Sequence, residues 1–210
     1  MNDNKPDRLV FFLMSKGEET RQEILAHTVG LFNRQGYAGV SLSQIMEATG
    51  LKKGGIYNHF ASKEQLALDV FDYAVGKVRE RFKEGLTGKK TAGARLHAIL
   101  AIMARYVTDP PVDGGCPVNN AAVDSLYTFP ALQQRARAGM EELQQYIRST
   151  VEKGVARSEL QQDLDPDQVA AVMLASLEGA LTMSKLYDDP VYMQRAVTHL
   201  AAYVDRNVLG

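Results

Sequence analysis

The 210-residue chain contains one cysteine, no tryptophan and four histidines scattered along its length. One cysteine excludes an internal disulfide framework and any zinc site that takes two thiolates from a single chain. The net charge of −1 excludes a broadly basic coat for nucleic acid. The longest early apolar run, from Leu9 to Met14, is too short for a signal peptide or a membrane span. We therefore expect a soluble cytoplasmic protein without metal, cofactor or membrane partner.

Proline is almost absent from the first half of the chain, with none between Pro6 and Pro110. Because a proline inside a helix removes a hydrogen bond and clashes with the preceding turn, its absence leaves room for long helices. Apolar residues recur at helical spacing from Ile24 to Phe32, before a stop at Gly36. No segment alternates apolar and polar residues as a half-buried strand does. The fold class is predicted to be all-α, with about nine helices.

Two capping boxes and a glycine turn organise the N-terminal unit. Ser41-Leu42-Ser43-Gln44 opens a short helix that ends before Gly50, and Leu51 to Phe60 offers a second short helix across the turn. This spacing indicates a helix-turn-helix. Ser62-Lys63-Glu64-Gln65 then opens a long helix. We expect a leader at 1–17 that is disordered, a helix-turn-helix domain at 18–64 and a C-terminal domain at 65–210.

The rest of the chain is predicted to form further helices at 92–108, about 118–127 and 130–153, the last of them ended by Gly154. Asp165-Pro166 and Asp189-Pro190 each place a capping residue before a proline at the first helical position. These two dipeptides therefore start the last two helices.

The chain resembles the TetR family of transcriptional regulators over roughly Thr20 to Leu68. Helix stop, capping box, glycine turn, Lys-Gly, Ile-Tyr, His-Phe and Ser-Lys-Glu follow one another in the order and spacing of that family. The resemblance implies an N-terminal three-helix domain that binds DNA and a C-terminal helical domain that binds a ligand and forms a homodimer. It implies a repressor that leaves double-stranded operator DNA when a small-molecule inducer binds.

Two alternatives keep the same fold, namely a transcriptional activator and a DNA-binding protein that responds to no ligand. An enzyme is not expected, because the sequence shows no nucleophile and base at suitable spacing, no carboxylate pair and no metal-ligand cluster.

Candidate DNA contacts lie in and around the second helix of the helix-turn-helix. Lys52 and Lys53 are long cations that reach phosphates or base edges, while Gly54 and Gly55 let the backbone approach the duplex. A helix of this kind fits the major groove. The candidate DNA-binding residues are Thr20, Ser41, Ser43, Lys52, Lys53, Gly54, Gly55, Tyr57, Asn58, His59 and Lys63.

Several of these candidates have a structural alternative. Thr20 and Ser41 would also serve as helix caps, Tyr57 would be a core residue, and His59 would have a structural role. Asn58 replaces the aromatic residue that is common at this position in the family. The first 63 residues carry a net charge of +2 and the remainder −3, so positive charge is mildly concentrated at the N-terminal end.

Small residues at four-residue spacing in the helix after Pro166 form a ridge that permits close helix packing. The resemblance assigns this helix and the last one to a four-helix dimer interface. The candidate interface residues are Ala171, Ala175, Gly179, Ala196, Leu200 and Tyr203. Packing within one chain is the alternative.

The C-terminal helices carry adaptable apolar side chains and a few polar tips, which suit a ligand cavity or an ordinary core. The candidate ligand-binding residues are Met103, Tyr106, Cys116, Asn120, Tyr127, Met140, Tyr146, Met173, Leu177 and Glu178, and Met183 belongs to the same set. The resemblance implies the cavity, and nothing in the sequence identifies the inducer.

Cys116 lies in a Gly-Cys-Pro loop just before a predicted helix. The positive end of that helix would lower the pKa of the thiol and make Cys116 a reactive sensor. The alternative is a small buried residue that closes a turn.

A separate hypothesis concerns Met14, which is an alternative translation start because the residues before it do not fit the usual short leader of the family.

Overall fold

The computed structural model describes residues 16–209, with Asn207 described in its backbone alone, so the predicted leader and the Met14 hypothesis lie outside the described residues. Over this range the chain forms nine α-helices and no strand, as predicted for an all-α fold. The helices are α1 (Lys16–Gly39), α2 (Leu42–Thr49), α3 (Lys53–Tyr57), α4 (Lys63–Leu86), α5 (Ala92–Ala104), α6 (Pro117–Ser125), α7 (Pro130–Ala156), α8 (Pro166–Leu186) and α9 (Val191–Tyr203).

Side-chain caps explain where several helices begin. The Ser41 hydroxyl accepts the Gln44 N–H at 3.3 Å and the Gln44 side chain accepts the Ser41 N–H at 2.9 Å, which confirms the first capping box. The second box forms only by half: Ser62 accepts the Gln65 N–H at 3.1 Å, but the Gln65 amide donates to Asp69 instead. The Asp69 carboxylate offers that amide a charged acceptor one turn further along the helix.

Other predicted boundaries shift for tertiary reasons. Gly36 breaks the regular geometry of α1 with φ 72° as predicted, but helical turns resume up to Gly39. The predicted stop at Gly154 is wrong, because α7 continues to Ala156 and Gly154 is buried inside it. The predicted helix at 92–108 divides into α5 and a 3₁₀ turn at Arg105–Val107. A π-helical turn at Val204–Val208 follows α9.

Two hydrophobic cores share one helix. The smaller core joins α1, α2, α3 and the first turns of α4, and it contains Ile24, Leu25, Val40, Ile45, Ile56, Phe60, Leu66 and Val70. The larger core begins at Phe71 and Val75 of α4 and extends through α5 to α9. The expected boundary between residues 64 and 65 separates Leu66 and Val70 from the core they complete. We therefore propose a boundary inside α4, after Val70.

Among the helices of residues 16–209, one, α8, is long and apolar enough to cross a membrane by length and composition. Half of its apolar window is buried inside the protein, where α8 packs against α7 and α9. A core helix of this kind passes the same test, so its hydropathy does not indicate a membrane span.

Two helix glycines should respond in opposite ways to alanine. A Cβ at Gly154 would lie 2.5 Å from Ala92 Cβ, whereas one at Gly76 would meet nothing within 4 Å. We expect Gly76→Ala to stabilise the protein by about 1 kcal/mol through helix propensity, and Gly154→Ala to destabilise it by about 1–3 kcal/mol through overpacking. Urea unfolding at one protein concentration measures both. Equal stabilisation would show that α7 does not pack this tightly on α5.

Candidate nucleic-acid interface and sensing core

The helix-turn-helix presents one apolar and one polar side. Gly50 ends α2 in the left-handed conformation at φ 68°, and the chain turns into the five-residue helix α3. Ile56 and Phe60 point into the smaller core and are 1% and 2% exposed. Lys52, Lys53 and Tyr57 face outward. The structure therefore presents the predicted contact residues of α3 to solvent.

The exposed side of α3 carries positive charge over an aromatic ring. Lys53 Nζ lies 5.8 Å from the centroid of the Tyr57 ring, and Tyr57 is 36% exposed, so the core alternative for Tyr57 is wrong. Lys63 Nζ lies 4.8 Å from the centroid of the Tyr37 ring. Within residues 16–209, Lys52, Lys53 and Lys63 have no carboxylate partner. Their charge is available to a ligand.

The remaining candidates divide by environment. Thr20 lies in the second turn of α1 and donates its hydroxyl to the Lys16 carbonyl at 3.0 Å, so the alternative of an N-terminal cap is wrong for it. Ser41 caps α2 and is also exposed, and Ser43 is exposed. Asn58 is exposed just after α3, and His59 is half-buried.

A hydrogen-bonded latch ties α1 to α6 and the loop before it, and it consists of Asn33, Tyr37, Asn120 and Asp124. Asn120 donates to the carbonyl and the side-chain oxygen of Asn33, both at 3.0 Å. Asp124 accepts the Tyr37 N–H at 2.8 Å. Asn120 was predicted to bind ligand; its amide donates to α1 and to the Gly114 carbonyl, and the residue also lines a cavity between α1, α4, α6 and α8.

No feature of the sequence indicated the other three members of the latch. Asn33 and Asn120 are 87 residues apart, and neither belongs to a local motif. The structure shows the approach at Gly36, where a Cβ would lie 2.5 Å from the Asp124 carboxylate. A glycine with positive φ beside a distant carboxylate marks the place where the two domains approach each other.

A buried polar cluster lies inside the larger core and consists of Tyr106, Cys116 and Glu178. Tyr106 is 2%, Cys116 1% and Glu178 6% exposed. Within the described residues, the Tyr106 hydroxyl has no hydrogen-bond partner, and the Glu178 carboxyl has only the weak thiol donor of Cys116 beside it. Burial raises the pKa of all three groups. Buried polar atoms usually have hydrogen-bond partners, because leaving them unpaired costs free energy of folding. This cluster is therefore an exception within the larger core.

The predicted reactive thiolate is wrong. Burial raises the pKa of the Cys116 thiol, and the neighbouring Glu178 carboxyl raises it further. The N–H groups of Asn119 and Val118 at the start of α6 act in the opposite direction, but they are outweighed. The low dielectric around a fully buried group penalises the thiolate more than two backbone dipoles favour it. Cys116 is a small buried residue before a helix, which was the alternative.

Glu178 should make stability depend on pH. Its pKa is raised by burial, so the folded protein retains a proton that the unfolded chain releases, and stability falls as pH rises from the unfolded value through the folded one. Glu178→Gln keeps the shape and removes this loss. We expect thermal unfolding to occur at a higher temperature in Glu178→Gln than in wild type at about pH 8, with a smaller gap at about pH 5. A gap that does not change with pH would contradict a protonated Glu178.

Two cavities flank the connector α4. The junction cavity has a volume of about 680 Å³ and lies between α1, α4, α6 and the end of α8. The α4–α7 cavity has a volume of about 320 Å³, with Val78, Phe82 and Tyr146 in its wall. At its edge Arg79 donates to both carboxylate oxygens of Glu142, at 2.8 and 2.6 Å.

The candidate ligand residues do not share one environment. Met103, Met173 and Leu177 are at most 2% exposed within the larger core, and Met140 packs partly buried against it. Tyr146 lines the α4–α7 cavity, and its hydroxyl accepts from Arg95 at 2.7 Å.

Two of the candidate ligand-binding side chains, those of Tyr127 and Met183, lie outside the larger core. Tyr127 follows α6 at the surface and is 95% exposed, and Met183 is 42% exposed on α8. Their predicted place in an interior cavity is therefore wrong. Tyr127 follows the end of α6 at Ser125, which comes two residues earlier than the sequence predicted.

An apolar stripe on α8 is exposed in the single chain. It contains the predicted ridge of Ala171, Ala175 and Gly179 together with Val172 and Met183. A Cβ at Gly179 would meet nothing within 4 Å, so packing of this ridge inside the chain, the alternative considered, is wrong.

The candidates on α9 differ from those on α8. Leu200 is 2% exposed and belongs to the larger core, so its predicted place in a dimer interface is wrong. Ala196 and Tyr203 are partly buried against the same core. The side of α9 that faces away from the core instead carries Arg195 and His199.

Comparison with known proteins is consistent with this architecture. Residues 24–70 match the family model described as bacterial regulatory proteins, tetR family, and residues 92–200 match the model described as tetracyclin repressor-like, C-terminal domain. The crystal structure of a TetR transcriptional regulator from Chloroflexus aurantiacus J-10-FL is 45% identical and superposes with a TM-score of 0.91, covering 94% of this chain and 100% of that one.

Two curated relatives match most of the chain. The HTH-type transcriptional regulator LmrA of Bacillus subtilis (strain 168) is 27% identical over 173 residues, which are 81% of this chain and 88% of the relative. The HTH-type transcriptional repressor DhaR of Mycobacterium sp. (strain GP1) is 24% identical over 173 residues, which are 79% of this chain and 82% of that protein.

Proposed function

Because the chain belongs to the TetR family of DNA-binding transcriptional regulators and is not an enzyme, we propose that it is a homodimeric repressor that a small molecule releases from its operator. The observation that carries the proposal is the exposed side of α3, a helix anchored on the smaller core, where Lys52 and Lys53 have no ion partner among the described residues. Within the same residues, Lys63 at the start of α4 is unpaired as well. A repressor of this kind works on chromosomal DNA in the cytoplasm.

The DNA interface follows from the orientation of α3. Lys52, Lys53 and Tyr57 enter the major groove, and Gly54, which has no side chain and is exposed, lets the backbone approach the duplex. Gly55 lies beside Leu51, and a Cβ there would be in ordinary contact with the Leu51 side chain at 3.6 Å. The flanking phosphate contacts are assigned to Thr20, Ser41, Ser43, Asn58, His59 and Lys63.

The dimer interface is assigned to the exposed stripe of α8. Its small residues permit two copies of the helix to pack closely about a two-fold axis. Ala196 and Tyr203 extend the interface along α9 where they are partly exposed. Such a dimer presents two α3 helices to successive major grooves about 34–36 Å apart.

The inducer site is assigned to the α4–α7 cavity, with Tyr146 in its wall. An inducer there pushes α4 away from α7, and α4 carries Leu66 and Val70 of the DNA-binding core with it. A coupling free energy of about 1–3 kcal/mol would lower operator affinity by about 5- to 150-fold.

Modification of Cys116 is not retained as a second trigger, because its thiol is buried and burial raises its pKa. The proposed trigger is therefore the small molecule alone.

A gel shift with the intergenic DNA that flanks the gene tests the proposed function. We expect palindrome-dependent binding at about nanomolar strength in excess random DNA, with an affinity that falls as salt rises. Equal binding to random DNA would contradict a sequence-specific regulator. A reporter gene behind the same DNA separates a repressor, which lowers expression, from an activator.

A further inference from the structure

The junction cavity is large enough for a small molecule and is built from both domains. Its volume of about 680 Å³ lies within the range of about 300–1,000 Å³ that is typical of ligand pockets. The apolar floor includes Phe32 of α1, Val70 and Phe71 of α4, and Leu132 of α7. The polar rim includes Asn119 of α6 and Lys185 of α8. It is separate from the α4–α7 cavity, with which it shares no lining residue.

The charges around this cavity leave one cation unpaired. Arg34 forms an ion pair with Asp113, and Asp124 is held by the Tyr37 N–H. Lys185 donates to the Gly114 carbonyl, but within the described residues it has no carboxylate partner. The charge of Lys185 does act on the buried Glu178, whose pKa it lowers.

The Asn119 side chain is the second polar group available at the rim. Its amide has no hydrogen-bond partner within residues 16–209. Asn33 and Asn120, by contrast, are already committed to the latch. An anionic group at Lys185 would therefore find a cation and a free amide on the same rim, above an apolar floor.

We propose that the junction cavity binds an amphipathic monoanion, such as a medium-chain or aromatic carboxylate. The apolar body lies on Phe32, Val70 and Phe71, and the carboxylate pairs with Lys185. The ligand contacts α1 and α6 at once, next to the latch, so its binding stabilises the described position of the helix-turn-helix relative to the C-terminal domain. A ligand that binds one arrangement better than another shifts the population toward it.

The chain has no tryptophan, so a single introduced tryptophan reports from one place only. Phe32→Trp puts the reporter in the junction cavity, and Phe82→Trp puts a matched reporter in the α4–α7 cavity. The probe is sodium decanoate below its micellar concentration, and decan-1-ol is the neutral control. We expect decanoate to cause a saturable change in the fluorescence of the Phe32→Trp variant and no change in the Phe82→Trp variant over the same concentrations.

The cation is tested with Lys185→Gln in the wild-type background, by calorimetry with the same two probes. Lys185 is exposed, so this variant retains the fold. We expect Lys185→Gln to weaken decanoate binding at least tenfold and to leave decan-1-ol binding unchanged. An equal response of both tryptophan reporters, or decanoate binding that Lys185→Gln does not alter, would overturn the assignment of the site.

The link to DNA rests on the proposed function and has its own readout. Decanoate should change operator affinity in wild type and leave it unchanged in Lys185→Gln. A fluorescence response of the Phe32→Trp variant to decanoate without any change in operator affinity would overturn the regulatory role of the site. Failure of the proposed function is seen separately, as the absence of specific operator binding before any decanoate is added.

Discussion

Replacing Lys52 and Lys53 together with alanine should lower affinity for the operator by roughly 10²- to 10³-fold, because each cation that contacts a base edge or phosphate contributes about 1–3 kcal/mol. Both side chains are exposed and without ion partners within the described residues, so the change removes the proposed DNA contacts without disturbing the core. The salt dependence should become shallower as well, since each lost phosphate contact lowers the slope by about 0.9.

The matched control for this pair is Lys89→Ala with Lys90→Ala. These lysines are also adjacent and exposed, but they lie in the connection between α4 and α5. Gel shifts of both double variants against operator and random DNA separate the specific contribution from the general one. Unchanged affinity in the Lys52 and Lys53 double variant, or an equal loss in the control, would exclude α3 as the reading element.

Ala175→Arg should separate the proposed dimer and lower operator affinity by at least about 100-fold, because a monomer loses the gain in affinity that comes from binding two half-sites at once. Ala175 lies in the middle of the exposed stripe of α8, where its small neighbours on the ridge permit close packing. In the proposed interface, an arginine there would place a bulky charge against the partner's copy of α8.

Ala138→Arg is the control for the size and charge of that substitution. Ala138 is exposed on α7 between the charged residues Arg137 and Glu141, which form their own ion pair. Analytical ultracentrifugation measures the oligomeric state of both variants, and gel shifts measure operator affinity. A dimeric Ala175→Arg protein with normal operator affinity would move the interface away from α8.

The sequence predicted the elements whose cause is local. The Ser41 capping box, the Gly50 turn and the Asp165 cap depend on residues within a few positions of each other, and the structure contains all three. The burial of Ile56 and the exposure of Lys53, both on α3, follow from helical spacing.

What the sequence could not supply depends on partners far along the chain. The pKa of the Cys116 thiol is set by its burial and by Glu178, and neither is visible in the residues around Cys116. The ridge on α8 and Leu200 both fit an apolar helix face, but only tertiary packing decides that the ridge is exposed and Leu200 buried. The hydrogen bonds between Asn33 and Asn120 join residues far apart in the chain, and no periodic pattern in the sequence predicts them.

The helix shared by the two cores also limits how parts of this protein can be exchanged. A hybrid regulator that joins its DNA-reading end to another sensor at residue 64 would discard Leu66 and Val70 and expose the inner surface of that end. A crossover after Tyr73 would carry both side chains along, and the Tyr73 ring packs against the same core. The first part of α4 must therefore be transplanted with the DNA reader, while Phe71 must be matched to the sensor it meets.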